Sequence, residues 1–112
     1  MSGLSTHVLD TSIGRPAAGV PVRLDIRDGS EWRVVGAGVT DADGRLRTLL
    51  GSESLAVAVY RLTFDTRAYF HATNREAFFP EASIVFEIRD AAQHYHVPLL
   101  LSPYGYSTYR GS

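Results

Sequence analysis

From Gly19 to Asp28 the chain reads GVPVRLDIRD, with Val20, Val22, Leu24 and Ile26 alternating with Arg23, Asp25 and Arg27. Successive side chains point to opposite faces only in an extended strand, so this stretch predicts a half-buried β-strand with one apolar face. The period returns in a predicted strand from Leu55 to Thr66, where Tyr60, Leu62 and Phe64 oppose Arg61, Thr63 and Asp65, and again through Ile84, Phe86 and Ile88. A turn at Asp28-Gly29 leads into EWRVVGAGVT, and the tight turn DADGR leads into a further predicted strand, RLRTLL. Only TRAYFHATNREAFFP loses the alternation; it predicts a short helix from Arg67 to Asn74, ended before Pro80. The last strand or strands run from His94 to Tyr109, and Pro98, with no N–H for a ladder, marks an edge or a bulge. Many short strands, turn signals and one helix predict an all-β fold: a two-sheet antiparallel β-sandwich, with one domain spanning residues 1–112.

Composition narrows the chemistry. With 11 Lys+Arg against 12 Asp+Glu the formal net charge is −1, which argues against a nucleic-acid footprint or an electrostatically bound membrane surface. All 11 cations are arginines, suited to planar, bidentate contacts, although a genomic bias would produce the same usage. The absence of cysteine excludes disulfides, thiolate nucleophiles and cysteine-ligated metals. MSGLSTHVLD has neither the basic region nor the apolar run of a signal peptide, and no segment has the length of a membrane span, so a cytoplasmic protein is expected.

The residues with chemistry cluster at the two ends. His94 and His96 are two apart and share a strand face, while His7 shares a face with Ser5 and Leu9. Imidazole can take a proton from water and return it near neutrality. Three histidines would also suffice for a zinc site with an open position, and each alone reads equally as a hydrogen-bonded surface or interface group. Arg45, directly after the DADG turn, is either a solvated turn residue or a group that orients a flat heterocycle and steadies oxygen charge. The chain closes on Tyr109, Arg110, Gly111 and Ser112, and the tyrosine-rich strands before them predict a subunit interface.

LSTHVLDTSIGRPA, TDADGR, YRLTFDTRAYF, FFPE and HYHVPLLLSPYGYSTYRGS together resemble the 5-hydroxyisourate hydrolases, the purine-catabolic branch of the transthyretin-like family. The resemblance spans nearly the whole chain. It implies a transthyretin-like sandwich, a homotetramer built as a dimer of dimers with sites in the channel between dimers, and 5-hydroxyisourate as substrate, with no metal or other cofactor. The family's site falls here on His7, Arg45, His96 and the terminal Tyr109, Arg110, Gly111 and Ser112, with His94 in a supporting role. The chemistry implied is hydrolysis of the substrate's ring amide by histidine-activated water. In this reading His7 acts as base, His96 orients it, Arg45 anchors the substrate, and Ser112 with its carboxylate holds the substrate or the water. A carrier of a small aromatic or heterocyclic ligand on the same fold is the alternative.

Overall fold

The structure, a computed structural model, describes residues 3–50 and 54–111. In chain order its elements are β1 (Gly3–Asp10), β2 (Arg15–Pro16), β3 (Pro21–Asp28), β4 (Glu31–Val39), β5 (Arg45–Leu46), β6 (Ala58–Phe64), α1 (Thr66–Ala72), β7 (Ala82–Ile88), β8 (His94–Ser102) and β9 (Gly105–Thr108). The alternating stretches form two packed sheets. One has the order β4-β3-β6-β7; the other runs β2-β1-β8-β9, with β5 also paired to β1. The short strands β2 and β5 share one side of β1, opposite Leu9-Asp10 and Thr6-His7 respectively.

Between the sheets lie the inward members of each alternation: Val8 from β1, Leu24 from β3, Leu62 and Phe64 from β6, and Leu99 and Leu101 from β8, all at most 2% exposed. Removing such side chains from water is the main force favouring the folded state. Helix α1 caps one end of this core with Tyr69 and Phe70. Its Asp65 N-cap accepts from the Ala68 N–H at 3.0 Å, which starts the helix one residue before the expected position. It stops at Ala72, and Asn74 then adopts a left-handed φ of 58°.

Three expectations need correction. The sandwich is not wholly antiparallel, because β1 and β8 pair in parallel from Gly3↔His94 to Asp10↔Leu101. These strands come from opposite ends of the chain, so no tight turn forces them to run in opposite directions. The strand expected over RLRTLL lasts only for Arg45–Leu46, because the chain then turns inward to bury Leu49. Gly36 and Gly38 on β4 make room for this crossing: a Cβ at 36 would stand 1.6 Å from the Leu49 carbonyl oxygen. Pro98 lies in an interior strand, but where the neighbouring ladder is interrupted. The β8–β9 pairing ends at Leu99↔Thr108, and the next backbone bridge joins His96 to Gly111.

A buried polar cluster ties the end of β1 to the helix. Asp10, with no exposed surface, accepts from Tyr69 Oη at 2.7 Å and from Arg75 Nη2 at 2.7 Å, as well as from Ser12. Burial alone would raise its carboxyl, but the hydrogen bonds from Ser12, Arg75 and Tyr69 outweigh it and hold the pKa below the usual value.

Candidate active site

The turn 41–44 builds one wall of the site. Asp41 Oδ1 accepts the backbone N–H groups of Asp43 and Arg45, each at 2.9 Å, and the Gly44 N–H closes onto the Asp41 carbonyl. Gly44 adopts φ 76°, and a Cβ there would stand 2.4 Å from the Val8 carbonyl oxygen, so both backbone and space demand glycine. The turn is thereby held against β1, with the Val8 N–H donating to the Gly44 carbonyl at 2.7 Å. Arg45 falls directly opposite His7 in the antiparallel register, so both side chains leave the sheet on the same face. His7 Nε2 donates to the Asp43 carbonyl at 2.8 Å, so this nitrogen carries a proton.

The parallel register supplies the second wall. Ser5 lies opposite His96, and its hydroxyl reaches His96 Nδ1 at 2.8 Å and His94 Nε2 at 3.1 Å. His96 is thus held through Nδ1, and its Nε2 has no partner among the described residues. Burial, and then the positive potential of His7, His94 and Arg45, keep the His96 pKa below its ordinary 6.5, while the backbone of Ser5 works the other way. The imidazole is neutral at physiological pH and able to accept a proton.

These groups face a cleft of about 220 Å³ lined by Ser5, Thr6, Arg45, Arg47, His94 and His96. Among the described residues no carboxylate lines it, and Arg45 and Arg47 in its wall favour an anion or a carbonyl oxygen gaining negative charge. A larger concavity of about 530 Å³ lies against the other sheet, where Arg23 and Arg67 are accompanied by Asp65 and Glu81. It holds no imidazole, and its arginines are matched by carboxylates. Among the described residues no group of three histidine or acidic side chains could hold a metal ion.

Of the residues expected from sequence, Arg45, His94 and His96 line the cleft, and His7 stands beside Arg45 on the same face. Gly111 is brought to His96 by its N–H, which donates to the His96 carbonyl at 2.8 Å. Tyr109 is exposed, and Arg110 is held away from the cleft by Gln93 Oε1 at 2.9 Å and by the face of Tyr95 at 4.5 Å. Ser112 lies outside the described residues. Sequence reasoning missed Ser5 and Arg47, although each is two residues from a named one, His7 and Arg45, and the strand period could have pointed to both.

Residues 4–111 match the model of the HIUase/Transthyretin family. A 5-hydroxyisourate hydrolase from Caulobacter vibrioides is 50% identical over 116 aligned positions that cover all of both chains. One from Salmonella dublin is 47% identical over 97% of this chain and 80% of its own. Among solved structures, Klebsiella pneumoniae 5-hydroxyisourate hydrolase superposes with a TM-score of 0.87 at 44% identity, each chain fully covered. Sea bream transthyretin in complex with thyroxine superposes at 0.91 with 32% identity, covering 97% of this chain and 94% of its own. Backbone shape does not separate the hydrolase from the thyroxine-bound transthyretin, whereas sequence identity is higher to the hydrolase. With a match across nearly its whole length and relatives this similar, the chain belongs to the HIUase/Transthyretin family.

Proposed function

We propose that this protein hydrolyses the ring amide of 5-hydroxyisourate, opening the six-membered ring to give 2-oxo-4-hydroxy-4-carboxy-5-ureidoimidazoline. The observation that carries the reading is the pairing on one cleft of Arg45 with His96, an imidazole whose pKa is held below its ordinary value. Hydrolases of this substrate among its relatives support it.

The geometry shifts the sequence-based assignment of roles. His7 uses Nε2 to hold the Asp43 carbonyl, whereas His96 lines the cleft and is kept neutral by its surroundings. We therefore assign His96 as base. Its Nε2 takes a proton from water as the water oxygen bonds to the amide carbon, and the guanidinium of Arg45 faces the oxygen that gains charge. The same proton returns to the ring nitrogen as the C–N bond breaks. His7, opposite Arg45, maintains the turn that presents the guanidinium.

The unit that works is, in this proposal, a homotetramer. The cleft of about 220 Å³ is smaller than the roughly 300–1,000 Å³ of an ordinary ligand site, as expected if a second copy completes it. Strands β7 and β9 end their sheets. Phe78, Phe79 and Tyr106 form an exposed aromatic cluster, with ring centroids 4.9 and 5.4 Å apart. Open edges and contiguous apolar surface of this kind mark association surfaces. No helix among the described residues is long and apolar enough to cross a membrane.

The carrier reading remains the competitor, because the thyroxine-bound transthyretin superposes so closely. One experiment separates the two. 5-Hydroxyisourate is generated in situ from urate with urate oxidase, and its ultraviolet absorbance is followed with and without catalytic amounts of this protein. Decay faster than the spontaneous rate, proportional to protein and unaffected by a chelator, is the expected result. An unchanged decay with folded protein would overturn the hydrolase reading in favour of the carrier.

A further inference from the structure

Ser5 is 6% exposed, and its hydroxyl lies within hydrogen-bonding distance of two imidazoles from the same strand, His94 Nε2 at 3.1 Å and His96 Nδ1 at 2.8 Å. A serine hydroxyl has a single proton to donate. With no third side-chain partner among the described residues and little access to water, that proton goes to one ring, and the other ring must donate to the oxygen. Two neutral arrangements satisfy all three groups. In one, Ser5 donates to His94 and His96 donates from Nδ1, which leaves a lone pair on His96 Nε2. In the other, Ser5 donates to His96 Nδ1 and His94 donates from Nε2, which places the proton of His96 on Nε2.

We propose that Ser5 is a positioning residue that couples the tautomers of His94 and His96, so that Nε2 of His96 alternates between proton acceptor and proton donor. The inference rests on the hydrolase reading for its catalytic consequence. The bridge itself is independent of any substrate.

Hydrolysis requires just such an alternation, since one group must first remove a proton from water and then deliver one to the leaving nitrogen. Starting from the first arrangement, His96 Nε2 takes the water proton as the C–O bond forms. The Nδ1 proton passes to Ser5 Oγ while the hydroxyl proton passes to His94 Nε2. Positive charge then rests on His94, the more exposed ring, and His96 is neutral with its proton on Nε2. As the C–N bond breaks, Nε2 gives that proton to the nitrogen and the two transfers run backwards, restoring the starting state with no net change in protons or electrons on the protein.

The surroundings suit a relay that avoids holding charge on His96. His7 and Ser5 face that ring from β1, His94 shares its strand, Arg45 reaches it from β5, and Arg47 lines the same cleft. Among the described residues lining the cleft, every charged or titratable group is basic. A cation lingering on His96 would be repelled by these groups, and moving it to the more exposed ring relieves this.

The test compares wild type, Ser5→Ala and Ser5→Thr by steady-state kinetics across pH and by 15N NMR of the histidine rings. Loss of a positioned acid–base relay is expected to lower kcat about 10- to 100-fold in Ser5→Ala, with KM changed less than about twofold. Ser5→Thr, which keeps the hydroxyl, should recover most of the rate. The 15N shifts of His94 Nε2 and His96 Nδ1 should move together in wild type and independently in Ser5→Ala. If Ser5→Ala does not fold, Ser5→Cys takes its place, since a thiol is a weak donor and should show the same loss. An active wild type with a folded variant of undiminished kcat, or imidazole 15N shifts unaltered by the substitution, would overturn the proposal. An inactive wild type would instead remove the hydrolase reading, and the NMR comparison would still decide the coupling.

Discussion

The ring of His96 occupies the space in which a side chain at position 111 would stand: a Cβ on Gly111 would lie 2.6 Å from His96 Cδ2, while the Gly111 N–H donates to the His96 carbonyl at 2.8 Å. The terminal segment therefore forms part of the support of the imidazole. Gly111→Ala must displace either the ring or the segment. Because a displacement of about 1 Å in a catalytic group can cost on the order of 100-fold in rate, kcat is expected to fall by one to two orders of magnitude. Circular dichroism and thermal unfolding should stay close to wild type, and a Gly111→Ala variant of full activity would show that the contact does not position His96.

The pH dependence follows from the direction of the His96 shift. Its folded-state pKa lies below 6.5, so between that value and 6.5 the unfolded chain binds more protons than the folded one. The associated stability is fully present above pH 6.5 and is lost as pH falls through the folded-state value. The acid limb of kcat should accordingly lie below pH 6.5. In His94→Ala, which removes one of the groups whose positive potential lowers the His96 pKa, the limb should move upward. A wild-type limb above 6.5 would contradict His96 as base.

Arg45 makes no side-chain hydrogen bond within the described residues and is free to meet a ligand from the cleft wall. Arg45→Ala should leave the DADG turn intact, because the turn uses the backbone N–H of residue 45. Loss of a donor aimed at developing oxygen charge typically costs on the order of 100- to 1,000-fold in kcat. Arg45→Lys should recover only a small part of that, since an ammonium lacks the planar fork. Steady-state kinetics on both variants, with thermal unfolding as control, checks the expectation.

Asp10 is the most stringent test of the fold. Replacing it with Ala would leave the phenol of Tyr69 and the guanidinium of Arg75 without their shared partner. Breaking a buried pair from one side costs about 3–5 kcal/mol, to be read by urea unfolding. In the wild type the depressed Asp10 pKa contributes stability that is present above pH 3.8 and lost as pH falls through the lower folded-state value. The acid-unfolding midpoint should therefore shift upward in Asp10→Asn.

Assembly gives a final expectation. If a second copy completes the cleft, dilution below the dissociation constant of the tetramer should abolish turnover before the chain unfolds. Sedimentation and activity measured over the same concentration series test this, and monomers of full specific activity would refute it.

Local pattern revealed the strands because each has one face in the core, and an amphipathic strand carries that face in its own alternation. Val22, Leu24, Leu62 and Phe64 are buried as the period required, and the common face of His94 and His96 follows from their spacing of two. His7 and Arg45 were already candidates by residue chemistry, and the resemblance joined them with Gly111 in one site. None of this fixes which strands become neighbours. The parallel register that sets Ser5 against both imidazoles joins residues 89 and 91 positions apart, and no local signal encodes it. The turn that ties His7 Nε2 to Asp43, the engagement of Arg110 by Gln93 and Tyr95, and the depressed pKa of His96 likewise arise from groups that meet only after folding. The sequence by itself determined the strand faces and the chemical types available, because those depend on side-chain order along one extended segment. The tertiary structure decided which nitrogen of each histidine is tied and which is open to the cleft, because hydrogen bonding and desolvation depend on partners that the chain brings together from its two ends.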